Sequence, residues 1–510
     1  MPLFQPFCST APIRFSSLVW GGLLSVLLLV GCAPDTRAQS GDNAQLEQFR
    51  RADAYLRSGN TEEAINLLEQ LHEAAPENAA FYRKLKDAYE SVKRYEDALR
   101  LLTKRMGDQP TPAQLSEKAR LLYRDGQEKT AMATWDEAVR QAPNRAATYR
   151  TVYQTLMEVR RFGRAIEVLE QGREALNAPA RFRREMGYLY ALDGQHREAM
   201  REYVALLANS TNQTGFVKGR LQTFVDQGEG TEAYIQVLRS AVEETPSMRA
   251  YRDLLAWLYM QQNDYAAAFE VYRALDRLSE ARGRVLYQFA RKAADADRFE
   301  VATSAFDAVL EQNPGTAVAA NAQRALGDTY RRWAERGSSE STTASDTTSV
   351  QDRYNAAVEA YRTFLRRHPD HEAVPSVLTQ LGTLQLDVYR ALDPAESTLT
   401  RVTTEHPQTS AARQAQYDLG RLAIQRGALD QARVQFSRLV EQTEDDLADQ
   451  ARFQLAQIDF YRGQFDAAVT RVEAITKNPA ADVTNDAIEL KVMIQENEGP
   501  DSLDVPLQLF

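Results

Sequence analysis

Cysteine is nearly missing from this chain of 510 residues, which has two, Cys8 and Cys32. Both lie in the first 32 positions. The remainder can form no disulfide, thiolate metal site or cysteine nucleophile, and packing has to supply its stability. Histidine is scarce as well, with five, at positions 72, 196, 368, 371 and 406. A zinc site takes three or four ligands, and only His368 and His371 stand close together, in "HPDH". Proline follows both His368 and His406, which places these imidazoles at helix ends, where they complement the helix dipole. There is no phosphate-cradling glycine loop, no G-x-S-x-G and no H-E-x-x-H, so an enzymatic reading has no residues to carry it. A basic excess is also lacking. With 61 Lys and Arg against 71 Asp and Glu, the net charge is −10, and the electrostatic attraction that dominates nucleic-acid binding is missing. Glu444, Asp445, Asp446 and Asp449 come without a glycine-defined calcium loop and fit helix caps. No cofactor and no metal is expected.

What the chain has instead is a period. Ala64, Ala98, Ala131, Ala165, Ala199, Ala233, Ala268 and Ala302 recur at steps of 33 to 35 residues. Four positions after each stands a larger side chain: Leu68, Leu102, Trp135, Leu169, Tyr203, Val237, Tyr272 and Phe306. Four residues are about one helical turn, so small and large side chains share one stripe, where the alanine admits a partner helix and the large residue fills the space beside it. Twelve residues after the alanine, Pro76, Pro110, Pro143 and Pro314 end their units, since proline cannot continue a helix. The sixth and seventh units lack proline at that place. Before each alanine lies a first helix marked by pairs such as Ala52 with Tyr55, Gly187 with Tyr190 and Ala256 with Tyr259. Turn-formers such as Asp125-Gly126 and Asp193-Gly194 connect the two helices. The unit is an αα-hairpin, copied in tandem and unable to bury its apolar face alone.

This spacing of small, aromatic and proline positions resembles the tetratricopeptide repeat family. The resemblance implies an all-α fold, a solenoid of about twelve stacked helix-turn-helix units in a right-handed superhelix. Eight repeats are expected over residues 45–316. Four looser ones follow over 317–482, marked by Leu326-Gly327, Leu381-Gly382 and Leu419-Gly420 with Ala357, Ala432 and Ala468. In this half, Phe364 to Gly382 and Val402 to Gly420 resemble the longer-helix repeats of envelope lipoproteins from outer-membrane assembly and cell-division systems. Residues 483–510 read as a capping or truncated segment. The tract 337–352, "GSSESTTASDTTSVQD", lengthens one hairpin by about eighteen residues. It cannot form a core and reads as a disordered insertion, with a contact element ordered by a partner as the alternative.

At the other end, Arg14 precedes the apolar run Leu18 to Val30, which stops at Gly31-Cys32. The run is too short to span a bilayer and matches a signal-peptide core over residues 1–31. Leu29 to Cys32 resembles the bacterial lipobox, which implies that Cys32 is lipidated and that 32–44 is a flexible tether. The expected location is the bacterial cell envelope, lipid-anchored, at the outer membrane facing the periplasm.

One column with the repeat period carries binding chemistry. Arg150, Arg184 and Lys218 occupy equivalent places in consecutive first helices, each with a companion four residues on: Gln154, Tyr188 and Gln222. In the tetratricopeptide family this face lines the concave groove, and the resemblance adds Arg120, Tyr123, Met157 and Trp257. Arginine with tyrosine and tryptophan is the composition of binding hot spots, while a solvated basic stripe is the plainer account of the same residues. The expected function is a non-enzymatic scaffold whose groove holds an extended peptide or acidic tail of envelope proteins. The competing reading is a solute- or glycan-binding lipoprotein associated with an outer-membrane channel.

Overall fold

The computed structural model describes residues 36–340, 344–476 and 482–497, and all regular structure among them is helical. The signal-peptide and Cys32 readings lie outside these residues. Helices pair in sequence into twelve antiparallel hairpins, each with a first helix A and a second helix B. Repeats 1 to 4 are Thr36–Arg57 with Thr61–Ala74, Ala79–Ser91 with Tyr95–Met106, Pro112–Arg124 with Glu128–Gln141, and Ala146–Glu158 with Phe162–Ala175. Repeats 5 to 8 are Arg183–Leu192 with His196–Asn209, Thr214–Asp226 with Thr231–Glu244, Arg249–Gln261 with Tyr265–Leu278, and Arg284–Asp295 with Phe299–Gln312. Repeats 9 to 12 are Ala317–Glu340 with Ala344–Arg367, Val374–Asp387 with Leu392–Glu405, Ser410–Gln425 with Leu429–Gln442, and Asp446–Tyr461 with Phe465–Ile475. A last helix, Thr484–Asn497, packs on helix B of repeat 12 through buried Ala487, Leu490 and Ile494. The chain divides into two compact units, residues 1–176 with repeats 1 to 4 and residues 177–510 with repeats 5 to 12.

The alternation of small and large residues does what the spacing predicts. Ala64, Ala98, Ala131, Ala165, Ala199, Ala268 and Ala302 are fully buried, as are Leu68, Trp135, Leu169 and Tyr203. Where helix A presents glycine, the approach is closer still. A Cβ added to Gly187 would lie 2.6 Å from the Tyr203 ring, and one on Gly420 2.6 Å from Phe436. Gly327 against Tyr361 and Gly382 against Leu399 repeat the arrangement at 2.5 Å. In each case glycine and large residue belong to the same hairpin, so these repeats are locked internally as well as by their neighbours.

Repeat 6 corrects the sequence register. Its helix B begins at Thr231, and the fourth residue, which is the buried alanine elsewhere, is Tyr234, with Leu238 as the large residue four positions on. Ala233 and Val237 are only half-buried. One extra turn residue causes the slip: Gly228 and Gly230 both take positive φ, which glycine adopts at no steric cost. Counted from Tyr234, Pro246 falls at the usual place, so repeat 6 does have its proline. Repeat 7 has none and ends differently. Its buried Asp276 accepts N–H bonds from Gly283, Val285 and Leu286 at 2.8 to 3.2 Å, tying the left-handed turn at Glu280, Arg282 and Gly283 to the start of repeat 8.

Two loop expectations are overturned. The tether reading of 32–44 fails from Thr36 onward, because helix A of repeat 1 already begins there. Most of the tract 337–352, expected as a disordered insertion, is helical. Helix A of repeat 9 runs through to Glu340, helix B starts at Ala344, and each has 24 residues. Apart from the first helix, the other hairpin helices have 10 to 16. Alanine, arginine and glutamate before the tract favour helix, and the two lengthened helices pair along Ala334, Val350, Tyr354 and Ala357, so tertiary packing overrides a polar composition.

Candidate functional site

The A helices carry the candidate column, and their neighbours across repeats decide what each side chain can do. Arg120, expected as a groove contact, is almost fully buried. Its guanidinium donates to both oxygens of Glu90 at 2.7 and 2.8 Å and to both oxygens of Glu117 at 2.6 and 2.9 Å. Lys86 joins from repeat 2, pairing with Glu117 and, at 3.4 Å, with Glu90, and Arg124 reaches Glu90 at 3.0 Å. Burial alone would raise both carboxyls. The hydrogen bonds and charges of Arg120 and Lys86 outweigh it, holding Glu117 down at about 2 and Glu90 below the usual glutamate range. Arg120 therefore bolts repeats 2 and 3 together and has no donor face left for a partner.

Tyr123 is likewise engaged, with Arg161 stacked 5.0 Å from its ring and Trp135 beside it at 6.1 Å. Arg150 and Gln154 are exposed and Met157 is half-buried, all on helix A of repeat 4. These five residues belong to the first unit. Arg184, Tyr188, Lys218, Gln222 and Trp257 belong to the second, on the A helices of repeats 5, 6 and 7.

In the second unit the column becomes a connected surface. Lys218 pairs with Asp253 of repeat 7 at 3.0 Å, so its charge is largely compensated. Gln222 donates to Asp226 at 2.5 Å and to Gln261 at 3.3 Å. Arg184 donates to Gln213 and lies 4.9 Å from the centre of Phe216. One turn further along, Arg220 stacks over Tyr188 at 4.8 Å and over Phe216 at 5.5 Å. Repeat 5 thus offers arginine then tyrosine, repeat 6 phenylalanine then arginine, and the four interlock cation on ring across the repeat boundary. Tyr188 and Trp257 rest half-buried against the underlying core, with Phe224 edge-on to Tyr188 at 6.3 Å. Arg220 is exposed and has no hydrogen-bond or ion-pair partner among the described residues.

Phe216 and Arg220 were not picked out from sequence. Their signal was present: they lie 32 residues after Arg184 and Tyr188, two residues short of the repeat period, where the side chains of adjacent helices meet. His368 and His371 flank Phe364 at a helix end, as their position suggests, and the backbone N–H of Ala373 donates to His371 Nδ1 at 3.1 Å. Burial, then the neighbouring His371, lowers the pKa of His368. Asp445 caps helix A of repeat 12, accepting from Ala448 N–H at 3.3 Å. Among the described residues no three His, Cys, Asp or Glu side chains are grouped to hold a metal, and no helix is long and apolar enough to cross a membrane.

Comparison with known proteins places three stretches. Residues 55–117 and 222–282 match the tetratricopeptide repeat, and residues 378–487 match a tetratricopeptide repeat-like domain. No curated protein matches the chain. Among solved structures, yeast Tom70 aligns over 92% of this chain and 100% of its own at 15% identity, with a TM-score of 0.35. A tetratricopeptide repeat protein from Parabacteroides merdae aligns over 55% of this chain and 99% of its own at 14% identity and a TM-score of 0.31. The pilF protein of Pseudomonas aeruginosa aligns over 45% and 91% at 19% identity and a TM-score of 0.27.

Proposed function

Since the chain is a tetratricopeptide-repeat protein, a class built for protein–protein contact, we propose that it is a lipid-anchored, non-enzymatic scaffold of the bacterial envelope. In this reading the signal peptide is removed, lipid on Cys32 holds the chain at the outer membrane facing the periplasm, and the A-helix surface of repeats 5 to 7 receives an extended segment of an envelope protein. The observation that carries the binding reading is the interlocked Arg184, Tyr188, Phe216 and Arg220 set with Trp257 nearby. It combines half-buried aromatic anchors with an arginine whose donors have no acceptor among the described residues, which is how interface hot spots are composed. An acidic stretch fits this pattern, because no acid among the described residues forms an ion pair with Arg220.

Co-purification from mild-detergent membranes tests it. Replacing Arg184 and Arg220 with glutamate is expected to lose the retained envelope partners, whereas the same reversal at Arg366, on repeat 9, leaves them in place. An unchanged set of partners in the double variant would remove the surface from consideration. Cys32→Ser is expected to move the chain from the membrane fraction to the soluble one, and a chain that stays with membranes would refute the anchor.

A further inference from the structure

The lengthened hairpin of repeat 9 builds a second site. A helix A of ordinary length would have turned near residue 330, and a helix B of ordinary length would have started near 354. Trp333, Ser349, Asp352 and Arg353 therefore all come from the added turns. There they overhang the start of helix B of repeat 8, where Phe299 and Glu300 stand, and with Glu300, Tyr330 and Ala356 they line a cleft of about 590 Å³. Its floor is aromatic. Tyr330 and Trp333 lie nearly parallel, at 12° and 6.4 Å between centres, and Phe299 stacks on Trp333 at 6.0 Å. The Arg353 guanidinium sits 4.3 Å from the Trp333 ring, and Gly337 makes this possible, since a Cβ there would come within 2.7 Å of Arg353 Nη1.

The charges in this cleft do not close. Arg353 is already engaged by the indole face, while Glu300 and Asp352 are exposed at the rim and neither has an ion-pair partner among the described residues. Nearby Arg332 and Arg336 are committed to Asp295 and Asp297. Packing alone accounts for the apolar seam of the two helices and leaves these carboxylates unexplained.

We propose that the cleft is a docking site for a cationic side chain, an arginine or lysine on an extended segment of a partner protein. Its charge pairs with Glu300 and Asp352 while its aliphatic stem lies along Tyr330 and Trp333. The volume is that of a pocket for one long side chain with its flanking peptide groups. This site shares no residue with the Arg184 to Trp257 surface, so either can fail without the other.

The test uses the full chain labelled with 5-fluorotryptophan, the Trp333 resonance being assigned by its loss in Trp333→Phe. Acetyl-Gly-Arg-Gly-amide is expected to shift that resonance saturably and leave those of Trp135 and Trp257 in place. Affinity should fall about fivefold or more in the Glu300→Gln, Asp352→Asn double variant, whose exposed substitutions leave the fold intact. Acetyl-Gly-Glu-Gly-amide should give no shift. The proposal is overturned by an absent shift, by a shift that survives in the double variant, or by a response to N-acetylglucosamine in place of the arginine peptide.

Discussion

Repeats 2 and 3 and repeats 10 and 11 join their A helices by the same device, acids of one helix bridged by arginine of the next, yet the two joints respond oppositely to burial. At the first, Lys86, Arg120 and Arg124 serve Glu90 and Glu117, and both carboxyls are held low. At the second, Arg421 alone serves Asp387, through bonds of 2.8 and 3.2 Å, and Asp418 at 3.1 Å. Asp418 is fully buried, and burial raises its pKa despite Arg421 and a 2.8 Å bond from Thr383 Oγ1. Burial strengthens an ion pair only where cations are at least as many as the acids they serve. Otherwise the desolvation cost stays with the acid.

The largest break in this contrast is Arg120→Ala. It leaves Glu90 and Glu117 facing each other with Lys86 and Arg124 as their remaining cations, and the expected loss is about 3 kcal/mol in urea unfolding of the first unit. Arg421→Ala should cost less, because Asp418 can take up a proton. Acid titration separates the joints next. Glu117 has a lowered pKa, so its contribution is complete above its unfolded value near 4.5 and is lost as pH falls toward about 2. Asp418 has a raised pKa, so its contribution is complete below its unfolded value near 3.8 and is lost as pH rises through the folded value. Hydrogen exchange followed from pH 5 downward should therefore show amides of repeats 2 and 3 opening while those of repeats 10 and 11 hold, and Asp418→Asn should flatten the second response. Loss of protection at both joints together would contradict the assignment. The smallest effect is expected at Arg462→Ala, whose 2.6 Å partner Asp430 is 91% exposed, with a change within about 0.5 kcal/mol by the same unfolding measurement.

The hairpins were legible in sequence because a buried small residue and its large partner recur at helical spacing and few other arrangements satisfy both. Twelve pairs were expected and twelve are found among the described residues. Two places escaped. In repeat 6 an adjacent alanine, Ala233, masked the true position at Tyr234, since composition cannot tell which of two neighbours points inward. In repeat 9 the serine- and threonine-rich tract 337–352 read as loop, although the lengthened helices are held by Ala334, Val350 and Tyr354 at its margins. The geometry of the candidate column was half legible. Periodicity found Arg184, Tyr188 and Lys218 but could not see that Lys218 and Arg120 are answered by acids of the adjoining repeat, because such contacts depend on how one helix is turned against the next.

The glycine and aromatic pairs, such as Gly187 with Tyr203 and Gly420 with Phe436, each lie within a single hairpin, whereas the ion bridges cross from one hairpin to its neighbour. A gene segment encoding one whole hairpin could thus be duplicated or deleted with every internal lock carried along intact. Only the charges at the new junction would have to be matched afresh, which leaves the length of such an array free to drift while the order of its modules is policed by electrostatics.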